Sequence, residues 1–307
     1  MKILVIGGAG FIGSNLTDSL ISKGFDVVVL DNLLLGSLNN LTGVPCKFVR
    51  GDANNEELLK KHLTEADYVF FQAGLSSAPM YELDPPKTIS ESLIGFLNTL
   101  ELSKRAGVKR VVYASSSSIY SSTPPPHSEN QPIPEPISYY SETKISMERF
   151  ARLYTKSYKL ETIGLRYFSV YGPKEKVKGR YANVAHQFLW DIIAGKQPVI
   201  YGDGNQTRDF IHVYDVVESN LLALNNGTPG EVYNVGTGVA HSFNQLVQMI
   251  NEYMETKIKP KYVENPIQNY VMHTLAEVNK SKQDLKFKSK ISLSEGIKEL
   301  IRRERSS

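Results

Sequence analysis

Lys2-Ile3-Leu4-Val5-Ile6-Gly7-Gly8-Ala9-Gly10-Phe11-Ile12-Gly13 is the stretch that decides the fold. Lys2 to Ile6 is a short, mostly apolar run rich in β-branched residues. Such runs suit a strand buried in a parallel sheet. Gly7, Gly10 and Gly13 follow at once, and a helical pattern runs from Ser14 to Lys23, stopped by Gly24. Asp26 to Leu30 then reads as a second strand, ending at Asp31. The chain completes one β-α-β unit in about 30 residues. Glycines between a strand and a helix permit a tight turn. They also let a pyrophosphate approach backbone N–H groups at the helix N-terminus. Asp31 stands 18 residues after Gly13 (31 − 13), placed to accept hydrogen bonds from an adenosine ribose. A carboxylate there repels a 2′-phosphate and no arginine follows nearby, so the pattern favours NAD over NADP.

The alternation continues outward from this unit. Strands are expected at Cys46–Val49, Tyr68–Phe71, Arg110–Ala114 and Glu161–Leu165, and helices at Glu56–Leu63, Thr88–Ala106 and Tyr140–Tyr158. The Pro-rich segment Thr123–Pro136 reads as a loop. Alternating strands and helices imply an α/β fold, a Rossmann-like doubly wound parallel sheet. After Arg166 the regularity weakens. Val184–Ala194, Phe243–Tyr253 and Leu293–Arg303 have helical patterns, and Pro198–Tyr201 is extended. Phe210–Val213 and Glu231–Val235 are expected as further strands of the main sheet. The expected division is a cofactor domain over residues 1–166 and about 209–236, with a smaller interleaved substrate domain over about 167–208 and 237–307.

Composition narrows the partners. The 307 residues are 41% hydrophobic and 22% charged, an ordinary globular balance, and the formal net charge of +3 does not argue for nucleic acid. The single cysteine, Cys46, excludes an intramolecular disulfide framework and a multi-cysteine zinc site, and no metal is expected. No apolar run reaches membrane-spanning length, and the chain opens directly on a strand pattern, so a cytoplasmic protein is expected.

Ser138-Tyr139-Tyr140-Ser141-Glu142-Thr143-Lys144 carries the chemistry. On a helix Tyr140 and Lys144, four apart, share one face. An ammonium group beside a phenol favours the phenolate, so the Tyr140 pKa is expected to fall below its usual value of about 10, as suits a general base. Ser115 to Ser118 stand at the C-terminal end of an expected strand, where open α/β sheets bind ligands.

These features together resemble one family. Gly-Gly-Ala-Gly-Phe-Ile-Gly at 7–13, Asp31-Asn32-Leu33, Tyr113 to Tyr120, Tyr140-x-x-x-Lys144, Leu165 to Pro173 and Gly202 to Val213 are similar to the extended short-chain dehydrogenase/reductases. Within that group the likeness is to UDP-galactose (UDP-glucose) 4-epimerases, from residue 1 to about 285. The resemblance implies a tightly held NAD, a UDP-sugar substrate and a homodimer, with the 88–106 and 140–158 helices pairing into a four-helix interface. It gives Tyr140 the role of proton acceptor, Lys144 that of keeping Tyr140 acidic, and Ser116 that of the catalytic serine. Cofactor contacts are implied for Gly7, Gly10, Phe11, Ile12, Gly13, Asp31, Asn32, Asp52, Ala53, Gln72, Ala73, Gly74, Ser92, Tyr140, Lys144 and Tyr167. Substrate contacts are implied for Ser116, Ser117, Tyr140, Ser169, Asn183, Val184, Tyr201, Arg208, Phe210 and Thr274, with Arg208 on the diphosphate.

Several positions depart from the family pattern. Ser92 and Ser169 each stand where asparagine is usual. Ile267-Gln268-Asn269-Tyr270-Val271 replaces a segment that commonly supplies a second phosphate-binding arginine. Thr274 aligns with a position where a bulky tyrosine excludes N-acetyl sugars, so the resemblance leaves room for them. Ser117 and Ser118 occupy places where dehydratases and decarboxylases of the same fold carry acids. Those activities, a net dehydrogenase and a non-catalytic NAD-binding protein are the alternatives.

Overall fold

Apolar strand runs separated by amphipathic helices fold here into a three-layer sandwich, in a computed structural model that describes residues 1–121, 123–267 and 270–306. The strands are β1 (Lys2–Ile6), β2 (Asp26–Asp31), β3 (Lys47–Arg50), β4 (Tyr68–Phe71), β5 (Arg110–Ser116), β6 (Glu161–Tyr167), β7 (Ser169–Tyr171), β8 (Val199–Tyr201), β9 (Thr207–His212), β10 (Val232–Val235), β11 (Ala240–Ser242) and β12 (Lys261–Val263). The helices are α1 (Phe11–Ser22), α2 (Glu56–Leu63), α3 (Ala78–Tyr81), α4 (Pro85–Ala106), α5 (Tyr139–Tyr158), α6 (Val184–Ile193), α7 (Val213–Asn226), α8 (Phe243–Met254) and α9 (Leu293–Arg305).

The main sheet is seven-stranded and wholly parallel, in the order β3-β2-β1-β4-β5-β6-β10. The Rossmann-like expectation therefore holds. Side chains alternate across β1. Ile3 and Val5 join the apolar layer under α1 and α7, while Leu4 and Ile6 join the layer under α2, α4 and α5. The strand order reverses between β1 and β4. At such a switch point the loops leave in opposite directions and open a crevice off the carboxyl ends of the strands.

One expected strand sits elsewhere. Phe210–Val213 was to extend the main sheet, but β9 pairs with β7 and β11 in a separate three-stranded sheet, and Val213 begins α7. The cause is local. Asp209 is fully buried and its carboxylate accepts hydrogen bonds from Thr237 N (2.8 Å), Thr237 Oγ1 (2.7 Å), Gly238 N (2.9 Å) and Ala276 N (3.1 Å). These bonds pin β9 across the end of β10 rather than beside it. Val232–Val235 does join the main sheet, next to β6. A separate apolar cluster built from α6, α8, α9 and the residues around Tyr171 and Phe210 forms the second lobe. Among the described residues no helix is long and apolar enough to cross a membrane.

Candidate active site

Two adjoining cavities lie off the carboxyl ends of the strands and share the wall made by residues 72–75. The first is built on the glycine turn. Gly7 has φ +80°, and a Cβ there would stand 2.5 Å from Ala73 N. A Cβ on Gly13 would overlap the Gly7 carbonyl oxygen. Both positions are closed to side chains by neighbouring backbone. Gly10 differs: its φ is −72°, ordinary for any residue, and it lines the cavity. Asp31 ends β2 and is 7% exposed. Its Oδ2 accepts from Ala9 N (2.9 Å) and its Oδ1 from Leu33 N (2.8 Å), so the carboxylate fixes the glycine loop and still has free lone pairs. Burial pushes the Asp31 carboxyl up, and the backbone N–H groups only partly offset this. Asp52 accepts from Asn32 Nδ2 (2.6 Å) on the same wall. A backbone cradle at a helix N-terminus, next to carboxylates, fits the pyrophosphate and ribose of NAD.

We expect Gly10→Ala to leave the melting temperature within a few degrees and weaken NAD binding by about tenfold or more, since its φ suits any residue and the added Cβ, 3.3 Å from the Gly7 carbonyl oxygen, needs only a small shift of the turn while narrowing the cradle. Unchanged NAD affinity by titration would remove Gly10 from the cofactor site.

The second cavity contains Tyr140, Lys144 and Ser116. Ser138 caps α5: its Oγ accepts from Ser141 N (3.2 Å), while Ser141 Oγ accepts from Ser138 N (3.2 Å). This fixes the start of the helix and so the direction of Tyr140 in its first turn. Lys144 follows one turn later, nearly buried, its Nζ donating to Ala114 O (2.9 Å) and lying 5.9 Å from the centre of the Tyr140 ring. Ser116 ends β5, and its Oγ accepts from Ser118 N (3.1 Å), leaving its own proton free for Tyr140. Tyr81 packs on Tyr140 with ring centres 5.4 Å apart.

The electrostatics correct one expectation. The Tyr140 phenol is not acidified in the free protein. Burial pushes it above its usual value, and the Ser116 hydroxyl recovers only part of that. Burial likewise pushes Lys144 down to about 8, opposed by the Glu148 carboxylate one turn further along α5. Spacing showed that the two groups share a face. It did not show that Lys144 is buried and Tyr140 half-buried inside a cavity, where forming either charge is costly.

Gly7, Gly10, Asp31, Asn32, Asp52, Ala53, Gln72, Ala73, Gly74 and Ser92 line the first cavity. Phe11, Ile12, Ser116, Ser117, Tyr140, Lys144, Tyr167, Ser169, Asn183, Arg208 and Thr274 line the second. Four expected residues line neither. Gly13 is packed against Gly7. Val184 is partly buried at the start of α6, against the second-lobe cluster. Phe210 is 1% exposed inside that cluster, and Tyr201 is 40% exposed on β8. In the Ile267–Val271 segment, Gln268 and Asn269 lie outside the described residues, and Val271 lines the second cavity. Arg208 is held by Thr207 O (2.8 Å) and Met272 O (3.1 Å), with its guanidinium 5.4 Å from the ring centres of Phe243 and Tyr270.

The structure adds residues that the sequence reading left out. Leu34, Leu35, Gly36 and Glu91 are among the further residues lining the first cavity, and His127, Lys178 and Tyr181 among those lining the second. Residues 34–36 directly follow Asp31-Asn32-Leu33 and were within reach of that motif. Lys178 and Tyr181 sit in an irregular turn with no periodicity to read. Asn220, fully buried, holds Gln72 and the Tyr167 hydroxyl through bonds of 2.9–3.1 Å. Among the described residues no group of three or more His, Cys, Asp or Glu side chains is arranged to hold a metal ion.

A parallel sheet with a glycine cradle at its switch point, and a Tyr–Ser–Lys cluster at the neighbouring strand ends, fits a chain that binds NAD. The NAD dependent epimerase/dehydratase family matches residues 3–236, and the chain belongs to that family. It is 35% identical over 302 residues to a putative UDP-glucose 4-epimerase of Methanocaldococcus jannaschii, covering 97% of each chain. It is also 30% identical to a UDP-glucuronic acid decarboxylase 1 of Arabidopsis thaliana, covering 98% of this chain and 69% of the relative. Its fold superposes on the crystal structure of a UDP-glucose 4-epimerase with UDP-glucose from Thermotoga maritima at a TM-score of 0.94, with 34% identity, 100% of this chain and 99% of the other.

Proposed function

We propose that the protein is a nucleotide-sugar 4-epimerase that interconverts UDP-glucose and UDP-galactose through a transient 4-keto sugar. The observation that carries this reading is the makeup of the second cavity. Tyr140, Ser116 and Lys144 converge there, and among the described residues its wall holds no carboxylate. Elimination of water or loss of carbon dioxide calls for added acid–base groups near the sugar. Here Ser117 and Ser118 face the cavity instead, which favours epimerisation over the dehydratase and decarboxylase readings. Relatives named for 4-epimerase activity support the same choice. A net dehydrogenase would release NADH; an epimerase would not.

NAD, when bound, supplies a hydride acceptor and, in its oxidised form, a positive ring charge. The chain's own groups handle the proton. Tyr140 Oη takes the proton of the sugar 4-hydroxyl and later returns it, while the Ser116 hydroxyl holds the same oxygen. Lys144 Nζ keeps its tie to Ala114 O, and its remaining donors would help hold a cofactor ribose and favour the Tyr140 phenolate. Because burial alone raises the Tyr140 pKa, proton transfer relies on added positive potential. The N-terminus of α5 and the cofactor charge both act in that direction. Arg208 presents a planar fork suited to phosphate. Residues 1–166 with about 209–236 serve as the cofactor half, and the remainder as the substrate half.

Thr274 sets the room at the sugar. We expect Thr274→Tyr to reduce kcat/KM for UDP-N-acetyl sugars about tenfold or more beyond any loss on UDP-glucose and UDP-galactose, by filling the space an acetamido group needs. Equal losses on both classes, measured by product chromatography, would sink this role. A homodimer through α4 and α5 is supported by exposed apolar side chains on those helices: Ile94 (45%), Leu153 (55%) and Tyr158 (55%). A monomer in sedimentation equilibrium at micromolar concentration would contradict it. A cytoplasmic site of action completes the reading; recovery of the protein outside the cytosolic fraction of its source cell would overturn that.

A further inference from the structure

The two cavities carry opposite charge. Among the described residues the first is lined by Asp31, Asp52 and Glu91 and by no cation. The second is lined by Lys144, Lys178 and Arg208 and, among the described residues, by no carboxylate. A concave wall of one sign raises the local concentration of ions of the other sign. Lys144 belongs to Tyr140, which leaves Arg208 on β9 and Lys178 in the short turn Glu175–Tyr181 as the charges without a role in proton transfer.

Lys178 is a built feature. Its Nζ donates to Glu175 Oε1 (2.8 Å) and lies 5.5 Å from the centre of the Phe11 ring, at the first turn of α1. Glu175 is fully buried, accepts from Asn183 N on the same oxygen (2.9 Å), and has His186 Nδ1 2.7 Å from its other oxygen. Burial pushes the Glu175 carboxyl up, but Lys178 and His186 outweigh it and hold it below its ordinary value. The carboxylate therefore anchors the ammonium. One of its three N–H donors is used, and the Lys178 side chain keeps 15% exposure where it lines the cavity.

We propose that Lys178 is a phosphate-binding residue that, with Arg208, holds the diphosphate of the substrate. This rests on the nucleotide-sugar reading above. The pyrophosphate of the cofactor has its own cradle at Gly7 and Gly10 in the first cavity, which Lys178 does not line. Arg208 contributes a bidentate fork and Lys178 a compact point charge, a pairing that suits two adjacent phosphates.

The test is calorimetric titration of the NAD-loaded protein with UDP, UMP and uridine. Wild type should bind UDP, and Lys178→Gln should weaken UDP binding by about 10- to 100-fold, the span of one charge-assisted hydrogen bond. Uridine affinity and bound NAD should be little changed, and Lys178→Arg should recover most of the loss. In turnover with UDP-sugars the loss should fall on KM more than on kcat. Where Lys178→Gln leaves Glu175 stranded and fails to fold, the Glu175→Gln/Lys178→Gln pair removes both charges and carries the same expectation. Wild-type UDP affinity in the folded variant overturns the proposal. So does an equal loss on uridine, or loss of NAD in place of UDP affinity. A wild-type holoprotein that binds no UDP overturns the nucleotide-sugar reading itself, a failure visible before any variant is made.

Discussion

Tyr140→Phe should retain NAD and fold normally yet lose about 10²- to 10⁴-fold in turnover, the usual contribution of a positioned general acid–base. The substitution removes one oxygen from a side chain that packs on Tyr81 and leaves the ring contact in place. Its hydroxyl meets the Ser116 hydroxyl, so stability should change little. Near-wild-type turnover with bound NAD, measured by product formation from a UDP-sugar, would refute the assignment of Tyr140 as proton carrier.

The second large effect concerns stability. Arg166 and Glu148 are almost wholly buried, with side chains 3% and 6% exposed. Arg166 donates to Glu148 through Nε (2.9 Å) and Nη2 (2.7 Å), and to the Tyr120 hydroxyl through Nη1 (2.6 Å). Glu148 also accepts from Ser115 Oγ (2.5 Å). The pair thus ties α5 to β5 and β6 directly behind Ser116 and Lys144. Arg166→Met leaves an uncompensated carboxylate in the core, and we expect a loss of about 3–5 kcal/mol. That corresponds to a drop in melting temperature on the order of 10 °C. The Glu148→Met/Arg166→Met pair removes both charges and should recover much of the loss. A single variant that melts within 2 °C of wild type, by calorimetry (about 1 kcal/mol or less), would contradict this account of the pair.

The first half of the fold was legible because its signals are local. The run into Gly7, the stop at Gly24 and the acid at Asp31 each act over a few residues, and β1, α1 and β2 form within two or three positions of where those residues place them. Tyr140 and Lys144 were legible as a pair for the same reason. The placement of β9 was not. An apolar run announces a strand but not its partner, and the partner here was chosen by Asp209 bonding to Thr237, Gly238 and Ala276, residues 28 to 67 positions away.

Depth was equally invisible. The sign of the Tyr140 shift depends on burial, which spacing does not encode. Phe210 lies two positions beyond Arg208 on the same strand, yet it sits inside an apolar cluster while Arg208 reaches the cavity. Lys178 had no motif around it, and its meaning comes only from Glu175 folding back beneath it.

The most direct test of the account is incubation of the purified protein with UDP-galactose deuterated at C4. Products would be separated by chromatography and weighed by mass spectrometry while the NADH absorbance band is recorded. The account predicts an equilibrium mixture of UDP-galactose and UDP-glucose of unchanged mass, with the deuterium kept at C4 and no net NADH. A product lighter by one water, stoichiometric NADH, or no conversion by the NAD-loaded protein would contradict it.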